Sequence, residues 1–164
     1  MGKSISILIE NGSWLTVYAE KLAEQLVAAG NDVRIVDRMA ATESGNICFI
    51  LAYTRILSVE ELSVHEYNFV VHESALPLGK GFAPMAWQIL DGANEIPIVV
   101  IEATPEADAG PIWLEDKITL EGWELCADWR HLQGLKTCDL CLRLVTNFDQ
   151  IGPRPQVGHS SYYR

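Results

Sequence analysis

One histidine and one aspartate have the setting that chemistry on an acyl group requires. His72 ends an apolar run at residues 68–72, and Asp108 lies in the loop sequence Asp-Ala-Gly. Attack of an amine on an acyl carbon creates an oxyanion and a cationic nitrogen, so the site needs a hydrogen-bond donor and a proton acceptor together. An imidazole beside a carboxylate supplies both, because the carboxylate favours the cationic donor form of the ring. We therefore expect His72 and Asp108 to meet.

Both residues also have structural explanations. A histidine at a strand end is often only a donor to a backbone carbonyl. An aspartate followed by a small residue and a glycine is typical of an Asx turn, although loops commonly hold working groups as well. The structural and catalytic interpretations of His72 and Asp108 are compatible with each other.

The elements that position the pair follow from hydrophobic patterns. Apolar runs predict strands at residues 4–9, 33–36, 47–53, 68–72, 98–102 and 112–114, and helical signals predict helices at 13–29, 59–62, 84–91 and 121–148. Their alternation predicts one doubly wound, Rossmann-like α/β domain with a mostly parallel sheet and flanking helices. We expect this domain to span residues 1–148 and residues 149–164 to form an irregular tail. His72 then lies at a strand's carboxyl end, where open α/β sheets bind ligands.

Several local signals accompany these elements. Ser13 is expected to cap the first helix, and Ser58 with Glu61 matches a capping box for the second. We expect most tryptophans to pack in the core or between helices, namely Trp87, Trp113, Trp123 and Trp129.

Composition excludes several classes of protein. The length of 164 residues suits one domain, and 49% hydrophobic residues suit a globular core. A formal net charge of −10 argues against a nucleic-acid surface, which needs concentrated Lys and Arg. The N-terminal apolar run is too short to span a bilayer or to act as a secretion signal, so we expect no membrane partner and a cytoplasmic location.

Two alternative sites are rejected on chemistry. The turn Glu10-Asn11-Gly12-Ser13 has one glycine where a dinucleotide fingerprint needs three, and the Glu10 carboxylate would repel a pyrophosphate. Three cysteines and a histidine, Cys126, His131, Cys138 and Cys141, suggest zinc, yet they lie on one predicted helix. One straight helix cannot surround a tetrahedral ion, so we expect no metal.

Ordered motifs surround the candidate pair. The sequence has His-Glu-Ser with Leu-Pro at 72–77, Gly-Lys-Gly at 79–81, Ala-Pro at 83–84, Trp-Gln-Ile-Leu at 87–90, Asn-Glu-Ile-Pro-Ile at 94–98 and Asp-Ala-Gly at 108–110. This set resembles the folate-dependent formyltransferase family, whose catalytic domain occurs in methionyl-tRNA formyltransferase and glycinamide ribonucleotide transformylase. It is most similar to the branch that formylates nucleotide-linked amino sugars, including pseudaminic-acid-type precursors.

The resemblance implies a formyltransferase fold and an activity. A formyl group would pass from the co-substrate 10-formyltetrahydrofolate to the amino group of a nucleotide-linked amino sugar. Another small amine as acceptor, or a non-catalytic folate-binding or interaction domain, is the alternative. A homodimer is one option for the oligomeric state.

The resemblance also implies roles for residues. His72 and Asp108 would be catalytic, and the folate would bind Leu51, Ala52, Tyr53, Ile56, Leu76, Thr104 and Ala107. The acceptor would bind Ser74, Pro77 and Lys80, of which Lys80 would either pair with an acceptor phosphate or carboxylate or remain solvated.

The sequence departs from the family pattern at two places. The family has Asn two residues before the catalytic His, where this chain has Val70, so one oxyanion donor is missing. Asn68 is on the same strand face as His72 but about 13 Å away at ordinary strand rise, too far to replace that donor. At the other place, the last five residues, 160–164, resemble a segment that relatives extend, so we expect a short or trimmed family member without acceptor contacts from such an extension.

Overall fold

The computed structural model describes residues 2–163, so Met1 and Arg164 lie outside the described residues. Strands and helices alternate along the chain as follows: β1 (Ser4–Leu8), α1 (Thr16–Ala28), β2 (Asp32–Val36), β3 (Gly45–Ile50), α2 (Val59–Leu62), β4 (His65–His72), β5 (Lys80–Gly81), α3 (Pro84–Leu90), β6 (Glu95–Glu102), β7 (Ile112–Thr119), α4 (Cys126–Thr146) and β8 (Tyr162–Tyr163). Single 3-10 turns lie at Met39–Ala41 and Phe148–Gln150.

Six of the strands form one sheet in the order β2-β1-β3-β4-β6-β7. The first four strands in that order run parallel, whereas β6 runs antiparallel to both β4 and β7. Ile7 pairs with Phe49, which pairs with Phe69, so the central strands place large apolar side chains in one row. This arrangement confirms the predicted α/β class with a mostly parallel sheet.

The two faces of the sheet are covered unequally. On one face α1 and α4 pack against each other and bury Leu22, Leu26 and Leu140 over the aromatic centre of the sheet. The other face carries a smaller cluster of Leu8, Met39, Cys48, Ile50 and Leu57. Part of this second face stays open, and the candidate site described below lies there.

Two helices begin later than the sequence pattern predicts. Ser13 is not the cap of α1; its hydroxyl accepts a hydrogen bond from Leu15 N, and the helix starts at Thr16. Helix α4 starts at Cys126 because the Glu124 carboxylate accepts from the backbone N–H groups of residues 121 and 122 and holds that segment in a turn. The prediction that Trp123 packs internally is therefore wrong, and its side chain is 73% exposed. The capping box of Ser58 and Glu61 is confirmed.

The C-terminal tail is more ordered than predicted. After the turn at Phe148–Gln150, Arg154 forms an antiparallel bridge with Ile112, and β8 pairs in parallel with β5. Both partners are distant in sequence, so no local periodicity reports them. Among residues 2–163, no helix is long and apolar enough to cross a membrane.

Candidate active site

His72 and Asp108 lie side by side. His72 is the last residue of β4, and Asp108 lies in the loop between β6 and β7. Their Nδ1 and Oδ1 atoms are 3.5 Å apart, and the two side chains are 7% and 16% exposed. In the antiparallel pairing of β4 with β6, His72 lies opposite Val99 and Phe69 lies opposite Glu102. The β6–β7 loop therefore leaves the sheet beside the middle of β4, and Asp108 reaches His72 from this loop. The predicted meeting of the two residues is confirmed.

Both nitrogens of the His72 ring face acceptors. Nε2 is 2.8 Å from the carbonyl oxygen of Gly79, which can only accept, so this nitrogen carries a hydrogen. Nδ1 faces the Asp108 carboxylate. An imidazolium protonated on both nitrogens satisfies both partners. The backbone contact of His72 and its pairing with Asp108 are therefore present together.

Asp108 is held in an unusual backbone conformation. Its φ of 52° lies in the left-handed region, which is uncommon for residues other than glycine. Its second carboxylate oxygen, Oδ2, accepts a hydrogen bond of 2.9 Å from Gly81 N. One oxygen is thus fixed by the loop of β5, and the other is directed at the imidazole.

A cavity of about 300 Å³ opens beside the pair, which contributes to its wall. Apolar side chains from several strands and loops form much of the lining, among them Ile50, Leu57, Val70 and Ile101. Small-molecule sites of this size are mostly apolar with a few fixed polar groups. The cavity therefore has the size and the lining of a small-molecule site.

Most of the residues predicted to bind folate line this cavity, namely Ala52, Tyr53, Ile56, Thr104 and Ala107. Leu51 and Leu76, which were also predicted to bind folate, do not line the cavity. Leu51 is 2% exposed and belongs to the main core, whereas Leu76 packs in a separate apolar cluster with Val99 and Ile112. Strand β3 ends at Ile50. Just beyond it, the side chain of Leu51 packs in the core, whereas the next residue, Ala52, lines the cavity.

The three residues predicted to bind acceptor lie outside the cavity wall. Ser74 is 2% exposed, and its hydroxyl has no hydrogen-bond partner. The carbonyl of Pro77 accepts from Ser161 N. Lys80 is 5% exposed; its ammonium lies 3.8 Å from a Glu106 carboxylate oxygen and 5.8 Å from the centre of the Tyr162 ring. The expectation of a solvated Lys80 is wrong, because its side chain is buried against the tail. Its pairing with an acceptor phosphate or carboxylate stays a prediction.

Comparison with known proteins relates this site to one group. No protein-family model matches the chain. The methionyl-tRNA formyltransferase of Thermus thermophilus is 26% identical over 126 residues, which are 76% of this chain and 40% of that protein. The chain thus spans about two fifths of the length of such curated relatives.

Two solved structures share the fold. HypX from Aquifex aeolicus in complex with tetrahydrofolic acid superposes with a TM-score of 0.79 at 18% identity, covering 99% of this chain and 30% of that one. The second is the formyltransferase PseJ from Anoxybacillus kamchatkensis, solved in complex with UDP-4,6-dideoxy-4-formamido-L-AltNAc and tetrahydrofolate. It superposes with a TM-score of 0.69 at 19% identity, covering 98% of this chain and 85% of that one. The chain is related to the formyltransferases and has the formyltransferase fold.

In this formyltransferase fold, the position two residues before the histidine is apolar. Val70 lines the cavity, while the side-chain amide of Asn68 donates to the carbonyl of Leu62 at 2.8 Å and is not part of the cavity wall. No Asn or Gln is among the described residues that line the cavity. The predicted loss of one amide donor near the reacting atoms therefore stands, and Asn68 does not replace it.

Sequence reasoning missed two polar residues near the pair. Glu73 lines the cavity and accepts a 2.8 Å hydrogen bond from Gln133 of α4. Burial raises the pKa of Glu73, and the hydrogen bond from Gln133 offsets part of that effect. Gln156 of the tail donates to the carbonyls of Asp108 and Gly110. Adjacency to His72 was an available signal for Glu73, whereas nothing in the sequence pattern pointed to Gln156.

Proposed function

We propose that the chain is a folate-dependent N-formyltransferase that moves a formyl group from 10-formyltetrahydrofolate to the amino group of a nucleotide-linked amino sugar. One observation carries the proposal: an imidazole–carboxylate pair, His72 Nδ1 to Asp108 Oδ1 at 3.5 Å, lies at the wall of an apolar cavity of about 300 Å³. Such a pair supplies the donor and the acceptor that formyl transfer to an amine requires.

The chemistry divides between the two side chains. The acceptor amine attacks the formyl carbon, a C–N bond forms, and the carbonyl electrons move to the oxygen. There the Nδ1–H of the cationic His72, which is 3.5 Å from Asp108 and not bonded to Gly79, donates a hydrogen bond. The Asp108 carboxylate takes the proton that the attacking nitrogen loses. When the oxyanion collapses, the bond to N10 of the folate breaks, and His72 gives its proton to N10. Tetrahydrofolate and the formamide leave, and the proton on Asp108 restores the imidazolium.

The cavity lining fits a folate. The apolar side chains of Ile50, Leu57 and Ile101 would pack against the faces of a pterin ring. The segment at 52–56 and the loop at 104–108 bring backbone groups to the same space, where they would bind the polar edge of the ring. Among residues 2–163, no cluster of three or more His, Cys, Asp or Glu side chains has metal-site geometry.

The acceptor class rests on charge and on fold coverage. A net charge of −10 disfavours a polyanionic RNA, because backbone phosphates are bound mainly by Lys and Arg. The similarity to PseJ, which was solved with a UDP-linked formamido sugar, extends over 98% of the present chain. A smaller anionic acceptor, with its amine on a sugar, meets less repulsion than an RNA does.

A second acceptor has its own support. Curated relatives with significant sequence similarity are methionyl-tRNA formyltransferases, so methionyl-tRNA is the competing substrate. The absence of an amide at Val70 favours a third reading, a domain that binds folate without turnover.

A transfer assay separates these three functions. Purified protein is incubated with 10-formyltetrahydrofolate and either UDP- or dTDP-linked amino sugars or methionyl-tRNA, and formamide product is detected by mass spectrometry. We expect product with a nucleotide sugar, its loss in His72→Ala, and its retention in His131→Ala, whose ring lies on the exposed face of α4 next to Tyr18. Tetrahydrofolate binding by wild type without product from any acceptor would favour the binding domain instead.

A further inference from the structure

Residues 154–163, here called the C-terminal strap, cross over both loops that hold the candidate catalytic pair. We infer that the strap is a positioning device for the reaction, with Gln156 as the residue that fixes Asp108 against His72. This inference rests on the proposed function. It assigns a role to a segment that neither the catalytic chemistry nor the folate cavity uses.

Gln156 forms hydrogen bonds with the loop that carries the Asp108 carboxylate. Its side-chain Nε2 donates to the carbonyl of Asp108 at 2.9 Å and to the carbonyl of Gly110 at 2.8 Å. Both hydrogens of the amide are therefore used on one short loop segment. Asp108 is in the left-handed region with φ of 52°, a conformation that persists only when surrounding contacts hold it. The two hydrogen bonds from Gln156 are such contacts.

The strap also forms hydrogen bonds with the Gly-Lys-Gly loop at residues 79–81. Ser161 Oγ accepts from Gly79 N at 2.8 Å, and the carbonyl of Ser161 accepts from Lys80 N at 2.9 Å. Gly79 provides the carbonyl that receives His72 Nε2–H, and Gly81 provides the N–H that Asp108 Oδ2 accepts. The strap thus binds the loop whose Gly79 carbonyl contacts His72 and whose Gly81 N–H contacts Asp108.

The Gly-Lys-Gly motif is shaped to admit the strap. A Cβ at Gly79 would lie 2.8 Å from the Tyr163 ring, and a Cβ at Gly81 would lie 2.6 Å from the Tyr163 carbonyl oxygen. Both glycines also have positive φ, of 72° and 100°. Any side chain there would push the strap away, so the motif serves the contact between loop and strap.

These contacts predict how loss of Gln156 acts. Without its donors, the Asp108 loop is free to leave its strained conformation, and the carboxylate moves away from Nδ1. A misplacement of about 1 Å near reacting atoms lowers rates by up to about 100-fold. Folate binding should change little, since Gln156 does not line the cavity.

The test compares Gln156→Glu with Gln150→Glu in the full chain. The first variant keeps the side-chain size but cannot donate to the two carbonyls. The second adds the same charge at an exposed residue whose side chain makes no hydrogen bond. We expect Gln156→Glu to lower kcat for formyl transfer by about 10- to 100-fold with KM for the folate donor within about twofold, and Gln150→Glu to match wild type. Ser161→Ala, which loses the bond to Gly79, should show a smaller loss of kcat.

A second readout does not depend on turnover. The 15N NMR shifts of the His72 ring report which nitrogens carry protons, and the signals are assigned by their disappearance in His72→Asn. We expect them to move in Gln156→Glu and to stay in Gln150→Glu. Unchanged kcat and unchanged His72 signals would overturn the inference, as would a lower Tm with normal His72 signals in the folded protein. If wild type forms no product with any acceptor, the proposed function fails, while the His72 signals still decide the role of the strap.

Discussion

At the scale of single residues, the reactive geometry is set by what faces the imidazole of His72. A backbone carbonyl holds Nε2–H, and a carboxylate faces Nδ1, so the ring is oriented from both sides. The same neighbourhood contains a position, Val70, where an amide donor is missing. The site thus has the imidazole–carboxylate pair of the proposed reaction but one amide donor fewer than the family pattern that the sequence resembles.

Val70→Asn is expected to raise the rate of formyl transfer. The side chain at Val70 lines the cavity on the same strand face as His72, so an amide there can donate to the developing oxyanion. Such a donor is worth about 3 kcal/mol, and we expect kcat to rise by about 10- to 100-fold. Burying the amide should lower stability by about 1–3 kcal/mol. Steady-state kinetics with Val70→Thr as the matched control tests this, and a kcat no higher than that of wild type would show that another group already supplies the donor.

Glu73 predicts a pH dependence of stability. Burial raises its pKa above the ordinary 4.5, the bond from Gln133 and the charge of His72 act against this, and the charge of Asp108 adds to it. Between the ordinary value and the raised one, the folded protein binds a proton that the unfolded chain has lost. The free energy of unfolding contributed by Glu73 is therefore full below the ordinary pKa and falls as the pH rises through the raised pKa.

Glu73→Gln should remove this dependence, because the amide oxygen still accepts from Gln133 and no charge is buried. Urea unfolding at about pH 5 and about pH 8 is the measurement. We expect wild type to lose more stability over this interval than the variant, and the variant to be the more stable protein at the higher pH. Equal losses in both proteins would mean that Glu73 is ionised normally.

At the scale of elements, the antiparallel pairing of β4 with β6 and the short β5–β8 pair assemble the site. The first sets the β6–β7 loop, which carries Asp108, beside β4, and the second brings the tail onto the Gly-Lys-Gly loop. The longer pairing belongs to the hydrophobic sheet. The shorter one depends on Gly79 and Gly81, which leave room for the ring and for the backbone of Tyr163, respectively.

Gly81→Ala tests the shorter pairing, with Gly92→Ala as its control. Both glycines have positive φ, 100° and 85°, so both substitutions carry a backbone cost of about 1–2 kcal/mol. Only at Gly81 does the new Cβ meet another group, the Tyr163 carbonyl oxygen at 2.6 Å. We expect a larger fall in Tm for Gly81→Ala, together with a loss of formyl transfer that Gly92→Ala lacks. Equal effects of the two substitutions would show that the β5–β8 contact is dispensable.

The elements also show what local sequence could reveal. Buried parallel strands are apolar on both faces, so β1, β3 and β4 were visible as runs, and the box of Ser58 and Glu61 marked α2. The start of α4 was misplaced because the Glu124 carboxylate satisfies two backbone N–H groups ahead of the helix, a competition that hydrophobic spacing does not register. The pairing of Tyr162 with Lys80 was missed because it joins segments far apart in sequence.

At the scale of the whole molecule, the candidate site combines a part that sequence could predict with a part that it could not. His72 was placed at a strand's carboxyl end, where α/β sheets bind ligands, and the motifs that resemble the formyltransferase family pointed to its pairing with Asp108. The same resemblance placed Leu51 and Leu76 in the folate site, whereas the fold packs both side chains in apolar clusters. Gln156 and Ser161 depend on the path of the tail across the sheet edge, which only the assembled fold specifies.

The whole chain carries a net charge of −10, and in the proposed function a pair at its cavity wall supplies one proton and accepts another. The two residues would then act as a unit, because Asp108 faces the nitrogen that would carry the proton. Residues that act as a unit show strongly non-additive losses when they are removed.

A double-mutant cycle on the formyl-transfer rate therefore tests the central claim most directly. His72→Ala, Asp108→Ala and the double variant are compared with wild type in single-turnover assays, with tetrahydrofolate binding as the check that each variant keeps its fold. We predict that the double variant loses no more than about tenfold beyond the slower single variant. Losses that multiply, or a single variant that transfers formyl at the wild-type rate, would contradict the account.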